Sequence, residues 1–360
     1  MAEDSITLEA FLHEHGFTAR EMQACAAIIY LSGAWDGLVK GDEPLPNKYL
    51  ELLIDKDDFH SRLQVNLFKK FRGERERQQI ATEVLLSPIR ERLLDAFTEL
   101  GFLAPPSLST EGVACDYALV FGASQAAMSR RIDTVLDQVS VREKLVLLVG
   151  ARPLWVDAEP CCIELLTRHL RENMAVGVPK TSISQEGMQA EADRLWASCP
   201  EGFTVNQKRA SVKQGLQTKC REDWWPTERD AAEYLVGKKR QEGRTLSEVS
   251  VVEAPCRQDG SRPDTIDTVV AFSEQYQDKL EQVPDVVAVS SYPYIREQAL
   301  SLKLLPDGVR CRVIGDNAAD ASPALVETLL AGFAGYFYKY RQVELLKKIP
   351  KPGPQSQCSY

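Results

Sequence analysis

The fold of this chain is decided by residues 115–138, which read CDYALVFGASQAAMSRRIDTVLDQ. The stretch begins with apolar, strand-forming residues, breaks at Gly122 and continues as a helical pattern that contains Arg130 and Arg131. A buried strand, a glycine turn and a helix form the repeating unit of parallel α/β sheets, and many such turns hold a phosphate. The Gly-x-Gly-x-x-Gly pattern of dinucleotide-binding proteins is absent here, so the ligand of this loop has to be inferred from other residues.

Five apolar runs of this kind occur in the chain, and helical patterns separate them. They are YALVFG at 117–122, KLVLLVG at 144–150, EVSVVEA at 248–254, DVVAVSS at 285–291 and VRCRVIG at 309–315. Continuously apolar strands are typical of sheets that are buried on both faces, and parallel strands need crossover helices. The pattern therefore predicts a doubly wound α/β fold with a mostly parallel, five-stranded sheet.

The sequence on either side of these runs predicts the domain boundaries. Residues 1–105 are expected to be helical throughout. The stretch at 104–112 is rich in proline and small polar residues, which indicates a boundary before an α/β domain at 113–345. The end of the chain, 346–360, is expected to be a disordered tail.

The second and third predicted strands are too far apart in sequence for one crossover helix. Residues 154–225 are therefore predicted to include an insertion with helices of its own. Within it, residues 207–221 carry five basic side chains and no acidic one. Two interpretations stay open for this segment: a solvated loop, or a flap that faces an anion or substrate.

Charge and hydropathy exclude several classes of protein. The chain has 360 residues, of which 26% are charged, and a formal net charge of -9. This charge argues against a surface given over to nucleic acid or anionic membrane. No apolar run approaches the roughly 20 residues that cross a bilayer, and the acidic amino terminus resembles neither a secretory signal nor a transit peptide. We therefore expect a cytoplasmic protein without a membrane span or a nucleic-acid partner.

Cysteine and histidine usage gives no sign of a metal site. The nine cysteines include no C-x-x-C pair, and several, such as Cys25, Cys115 and Cys311, lie in apolar runs, so reduced and mostly buried thiols are expected. His13 and His15 are two residues apart rather than one helical turn, unlike the zincin pattern. The expectation is that the chain has no metal site.

In an open parallel sheet, ligands bind beyond the carboxyl ends of the strands, near the point where strand order reverses. Glycines there admit an anion to backbone N–H groups, helix N-termini favour negative charge, and arginine adds a bidentate fork. The ligand-binding candidates that follow the strands are Gly122, Ser124, Arg131, Gly150, Arg152, Thr265, Ser290, Ser291 and Arg296. Each residue type is also common in turns and helix caps, so the prediction depends on their combination.

The two adjacent arginines cannot both face this site. Neighbouring helix positions point about 100° apart, so we expect Arg131 in the pocket and Arg130 in solvent.

Catalysis by a serine nucleophile is disfavoured. Ser124 lies on a strand-to-helix turn, but its surroundings do not form the Gly-x-Ser-x-Gly elbow, and no histidine sits at the end of a later strand. A hydrolytic reaction would need a carboxylate as general base for water, and the candidates are Glu228, Glu253 and Asp267. A metal ion held by these carboxylates is not indicated.

The order of these elements over residues of about 113–345 resembles the YdcF/SanA-like family, a bacterial Rossmann-like domain. The likeness consists of a strand ending at Gly122, a second strand ending at Gly150, a helix opened by Glu228 and a strand ending at Glu253.

Two later segments of the likeness depart from the family's pattern. Asp264–Thr268 resembles the family's Asn-Thr-x-Glu-Asn segment, but it has Asp267 in place of glutamate and lacks both asparagines. After the fourth strand, Tyr294 stands where the family usually has a histidine, and Arg296 lies close to its usual arginine.

The resemblance implies a pocket at these loops for a nucleotide-like or phosphate-bearing molecule, and S-adenosylmethionine is one candidate. The leading hypothesis is a YdcF-like protein that binds a small anionic or nucleotide-type ligand, with hydrolase or transferase activity. The alternative is a non-catalytic interaction protein that contacts a protein partner through residues 1–105 and the basic insertion. A nicotinamide-dependent dehydrogenase is disfavoured by the missing glycine fingerprint.

Overall fold

The computed structural model describes residues 6–34, 38–40, 51–52, 55–69, 89–103, 112–173, 184–220, 223–258, 262–316 and 325–348. The chain forms two compact units. The helical unit comprises Met1–Leu108, Ser291–Leu304 and Asn317–Tyr360, and the α/β unit comprises Ser109–Ser290 and Leu305–Asp316. Most of the predicted boundary at 104–112 and of the predicted tail lies outside the described residues.

Helices account for most of the described chain. In chain order they are α1 (Leu8–Glu14), α2 (Ala19–Leu31), α3 (Lys56–Gln64), α4 (Arg90–Glu99), α5 (Gln125–Gln138), α6 (Cys161–Asn173), α7 (Gln185–Ala197), α8 (Val205–Cys220), α9 (Glu228–Gln241), α10 (Thr265–Gln275), α11 (Gln277–Leu280), α12 (Ile295–Leu302) and α13 (Leu325–Lys348). Among these described helices, none has both the length and the apolar character required to cross a membrane.

The strands belong to two separate sheets. In chain order they are β1 (Val39–Lys40), β2 (Glu51–Leu52), β3 (Val113–Phe121), β4 (Val139–Gly150), β5 (Glu248–Ala254), β6 (Asp285–Ser290) and β7 (Arg310–Gly315). β1 and β2 form a short antiparallel ribbon, so the expectation that residues 1–105 are helical throughout is wrong here. Strands of two residues are too short to show an alternating pattern, which is why the sequence did not reveal them.

The other five strands form one all-parallel sheet in the order β5-β4-β3-β6-β7. In chain order, the first strand of this sheet is the central strand β3. β4 and β5 follow on one side of it, and β6 and β7 then follow on the other side. α5 and α9 pack against one another and against the sheet, and α10 packs on β4 and β5. Right-handed crossovers in opposite directions place these helices on opposite faces. The predicted doubly wound, Rossmann-like α/β fold is therefore confirmed.

The apolar pattern of the sequence is strongest in the parts of the strands that are buried. Leu119, Val120 and Leu147 are completely buried in the centre of the sheet, since helices cover both faces there. β7 differs, because it lies at the edge of the sheet and its first three residues, Arg310 to Arg312, are exposed. Cys311 is therefore an exposed residue, and the expectation that it is buried is wrong.

The insertion between β4 and β5 contains α6, α7 and α8, which confirms that it is helical. The basic segment at 207–221 lies almost entirely within α8, so the solvated-loop interpretation is wrong, and the flap interpretation stays a prediction. Arg209 is buried and forms a bidentate pair with Asp157, with nitrogen–oxygen distances of 2.8–3.1 Å. Val212 and Leu216 are buried on the same helix and hold it against the insertion's core.

The helical unit includes two segments that the sequence had assigned to the α/β domain. Ser291–Leu304 and the region of α13 group with the amino-terminal helices. Phe333 and Phe337 of α13 are completely buried and contact aromatic rings such as Phe97 and Phe11 of those helices. The aromatic residues of α13 are thus packing residues, and the α/β unit does not extend continuously over 113–345.

Candidate functional site

A carboxylate from the chain itself occupies the carboxyl ends of β3 and β4. Glu228, the first residue of α9, accepts a hydrogen bond at Oε2 from the backbone N–H of Gly150, at 2.8 Å. Its side chain is only 3% exposed. A Cβ added at Gly122 would lie 2.8 Å from the same Oε2 atom. Gly122 and Gly150 both border this carboxylate, and their lack of side chains admits it.

Arg152 forms the cationic centre of a buried network around this carboxylate. Its Nη2 lies 3.3 Å from Glu228 Oε1 and 2.6 Å from Glu159 Oε1, and it also donates to the carbonyl of Ala123 at 3.3 Å. The Arg152 side chain is 7% exposed, and its Nε has no hydrogen-bond partner among the described residues. Burying these charges is costly unless they pair, so the three side chains stabilise each other in place.

Arg131 lies at the end of β3, on the side that the helical spacing predicted. Its Nη1 donates to the carbonyl of Phe121 at 2.6 Å and approaches that of Gly122 at 3.4 Å. The guanidinium thus satisfies backbone oxygens where the strand ends. Arg130 is 48% exposed and lies 3.4 Å from the buried carboxylate of Asp316, so it is partly in solvent and also ion-paired.

Asp267 and Thr265 form the start of α10. Asp267 accepts a hydrogen bond from the backbone N–H of Asp264 at 2.7 Å, and Asp264 Oδ1 accepts from the N–H of Asp267 at 3.3 Å, which completes a capping box; Asp264 Oδ1 also accepts from the N–H of Ile266. Arg257 also contacts Asp267 Oδ2, with distances of 2.7–2.9 Å. These contacts engage Asp267 in helix capping rather than in the activation of water.

The surroundings of Glu253, the third candidate base, raise its pKa. It lies near the end of β5, is half-buried, and its Oε2 is 3.9 Å from Arg229. Burial raises the pKa of Glu253, Arg229 lowers it, and the negative charges of Asp230, Glu228 and Glu233 raise it further. The net effect is a pKa above the ordinary glutamate value. A carboxylate of this kind is a better proton acceptor at neutral pH than an ordinary glutamate.

The N-termini of α5, α9 and α10 differ in how they are capped. α9 and α10 begin with capping boxes, in which Asp230 and Asp267 accept from the backbone N–H of the N-cap residue. The N-cap residue of α5, Ser124, makes no side-chain capping bond, and the first turn of α5 has no acidic residue. The positive end of the α5 helix dipole, at the first amide groups of the helix, therefore has no capping side chain.

The remaining predicted ligands are divided between the two units. Ser290 is completely buried at the end of β6, and its carbonyl accepts from the N–H of Asp316 at 2.8 Å. Ser291 belongs to the helical unit, where its carbonyl accepts from the N–H of Tyr294. Arg296, also in the helical unit, pairs with Glu21.

The pairing with Arg296 contributes to a lowered pKa of Glu21. Burial raises the pKa of Glu21, but hydrogen bonds from the backbone of Thr18 and from Arg296 outweigh it, and the pKa falls below the ordinary value. Glu21 therefore neutralises Arg296 within the helical unit.

The structure brings Gly122, Gly150, Arg152 and Glu228 together and adds Glu159, which sequence reasoning missed. Glu159 lies seven residues after Arg152, in a stretch with no strand or helix pattern, so no periodicity indicated that its carboxylate faces the guanidinium.

Comparison with protein-family models, with curated proteins and with solved structures finds no match for this chain. The likeness to the YdcF/SanA-like family therefore stays a prediction.

The close approach of Glu228 to Gly122 predicts a stability defect. In Gly122→Ala, the new Cβ would lie 2.8 Å from Glu228 Oε2 and 3.0 Å from the backbone oxygen of Leu148. We expect the free energy of unfolding to fall by about 1–3 kcal/mol in urea denaturation. Gly237→Ala within α9 is the control, because its Cβ meets nothing, and it should gain about 0.5–1 kcal/mol. Equal stability of Gly122→Ala and wild type would contradict the contact.

A second substitution tests whether Arg152 acts in structure or is available to a ligand. Arg152→Met leaves Glu159 and Glu228 buried without their cation, so we expect a loss of about 3–5 kcal/mol in the free energy of unfolding. Arg194→Met is the control, since Arg194 is exposed and pairs with Glu191 at the surface, and it should cost about 1 kcal/mol or less. A loss in Arg152→Met no larger than in the control would refute the structural role.

The raised pKa of Glu253 predicts a pH-dependent gain on its replacement. A carboxyl whose folded pKa exceeds its unfolded pKa favours folding while protonated, and that contribution is lost as pH rises through the folded pKa. Glu253→Gln keeps the neutral form, so its melting temperature should exceed that of wild type at pH 8, and the difference should vanish near pH 4. Glu201→Gln, in an exposed turn, should show no such gain. A lower melting temperature at pH 8 would mean that the attraction to Arg229 outweighs burial.

Proposed function

We propose that the α/β unit binds a small anionic or nucleotide-type ligand through the N-terminus of α5, beside the carboxyl end of β3. Gly122 and Ser124 would contact the anion, which could be a phosphate or a carboxylate such as that of S-adenosylmethionine. No side chain caps the start of α5, where these two residues lie.

The uncapped start of α5 is the observation that carries this proposal. Its backbone N–H groups need hydrogen-bond acceptors, and a bound anion supplies them while interacting favourably with the helix dipole. At α9 and α10 the chain uses its own side chains in capping boxes, which pair Thr227 with Asp230 and Asp264 with Asp267. At α5, the hydrogen bonds to the first amide groups are left for a ligand or water to make.

The position of α5 in the sheet supports the same conclusion. β3 pairs with β4 on one side and with β6 on the other, and the direction in which the chain adds strands reverses around β3. Ligands of open parallel sheets bind at the carboxyl ends of strands at such a reversal. α5 follows β3 directly, so its N-terminus lies at this place.

The surrounding charged residues divide into positioning groups and one candidate base. Arg131, Arg152 and Glu228 position the loop by bonding the ends of β3 and β4, and they are engaged within the chain. If the ligand is hydrolysed or its group transferred, Glu253 is the carboxylate with the raised pKa that a general base requires.

A non-catalytic interaction protein is the second candidate function. It is favoured by the internal pairing of Arg152, Arg131 and Asp267, which leaves little of the predicted catalytic charge for a substrate. In this case the strand-end network would only stabilise the fold, and a protein partner would bind elsewhere on the chain.

Ligand-dependent melting distinguishes the two candidates. We expect at least one of ATP, ADP, AMP, S-adenosylmethionine and inorganic phosphate to raise the melting temperature of wild type. Ser124→Asp should abolish this rise, because the new carboxylate caps α5 and repels an anion, while aspartate remains a good N-cap for folding.

Ser184→Asp is the matched control, since Ser184 caps α7 in the same unit and is not part of the proposed site. It should keep the full ligand effect. No stabilisation of wild type by any compound, or an undiminished effect in Ser124→Asp, would refute the ligand site and leave the interaction protein. Loss of turnover in Glu253→Gln with ligand binding retained would identify an enzyme.

A further inference from the structure

We propose that His15 and His60, in the helical unit, form a binding site for a divalent transition-metal ion such as Zn²⁺. His15 ends α1 and His60 lies in α3, so the two residues are 45 positions apart in sequence. Their Nε2 atoms face each other at 3.0 Å. Two imidazole nitrogens that converge on one point are the beginning of a metal site.

The orientation of His15 is fixed by a hydrogen bond on the far side of its ring. Its Nδ1 lies 2.8 Å from the backbone carbonyl of Phe11. A carbonyl oxygen only accepts, so Nδ1 carries the proton and the Nε2 of a neutral His15 presents a lone pair towards His60. Metal-binding histidines are held in the same way, with the second ring nitrogen donating to a carbonyl or carboxylate.

Without a metal, a proton must lie between the two Nε2 atoms. His15 Nε2 accepts, so His60 Nε2 donates in this state. Metal binding would replace this proton: His60 gives it up from Nε2 and stays neutral by carrying a proton on its other nitrogen. Both Nε2 lone pairs would then point at the ion, and the charge of each imidazole would be unchanged.

The geometry is close to that of a zinc site. Zinc–nitrogen bonds of about 2.0–2.1 Å at a tetrahedral angle separate two ligand nitrogens by roughly 3.3 Å. The observed 3.0 Å therefore needs an opening of about 0.3 Å. Among the described residues, no group of three or more histidine, cysteine, aspartate or glutamate side chains could hold a metal, so water would complete the coordination.

The environment of the pair supports access from one side only. His60 is buried, and His15 is half-buried. The rings of Phe11, Phe337 and Tyr340 lie 4.1–5.4 Å from the imidazole of His15, measured between ring centroids. An ion and its waters would reach the pair from the exposed edge of His15. Imidazole ligands favour zinc, nickel and copper over magnesium or calcium, which prefer oxygen.

Zinc titration of the full chain tests the site. Addition of ZnCl₂ at pH 7.5 should raise the melting temperature of wild type, with one high-affinity Zn²⁺ per chain in calorimetry. His15→Gln should weaken this affinity by about tenfold or more, because one imidazole cannot chelate. The matched control is His13→Gln, which makes the same change two residues earlier at an exposed position of α1, and it should bind as wild type does.

Two further measurements keep the test decisive. His60→Gln should show the same loss, and if it does not fold, His15→Gln alone carries the result because His15 is half-exposed. Co²⁺ in place of Zn²⁺ should give visible absorption bands in wild type and His13→Gln but not in His15→Gln. Protons compete for imidazole, so affinity should fall between pH 7.5 and about 5.5. Absence of zinc binding by wild type, or unchanged affinity in His15→Gln, would overturn the proposal.

Discussion

The carboxylate of Glu228 is the group on which the strand-end geometry of the α/β unit depends. It lies at the glycine-lined ends of β3 and β4, accepts the N–H of Gly150 and faces the cation of Arg152. Removing this negative charge would leave Arg152 buried beside Glu159 alone, and a side chain at Gly122 would displace it. α9 is held at the sheet edge by the same contact, since Glu228 is its first residue.

This internal carboxylate changes how the neighbouring charges should be interpreted. A glycine turn with arginines beside it is typical of phosphate binding. Here the carboxylate of Glu228 is the anion at the ends of β3 and β4. Internal carboxylates also act at the starts of α9 and α10, where Asp230 and Asp267 accept the backbone N–H of the N-cap residues Thr227 and Asp264. α5 differs from α9 and α10 because no side chain caps its N-terminus, and this difference is the basis of the proposed ligand site.

Sequence reasoning predicted the parallel sheet well and the site only in part. β6 and the carboxyl-terminal halves of β3 and β4 are continuously apolar because both faces are covered, and this leaves a strong pattern. Edge strands and short ribbons lack it, which explains the exposed start of β7 and the unpredicted β1–β2 pair. Gly122 and Gly150 could be placed at strand ends by counting. Their contact with Glu228, 78 residues beyond Gly150, could not, since no local pattern links them.

The sequence by itself determined the class of fold, because hydrophobic periodicity and the length of connections are local properties that burial on two faces imposes. It also placed Arg131 on the inner side of α5, since helical geometry separates it from Arg130. Only the tertiary structure decided what each charged group faces. Arg152 meets two carboxylates, Arg296 meets Glu21, and His15 meets His60. Such partners are distant in sequence, and only the folded packing of the elements brings them within hydrogen-bond distance.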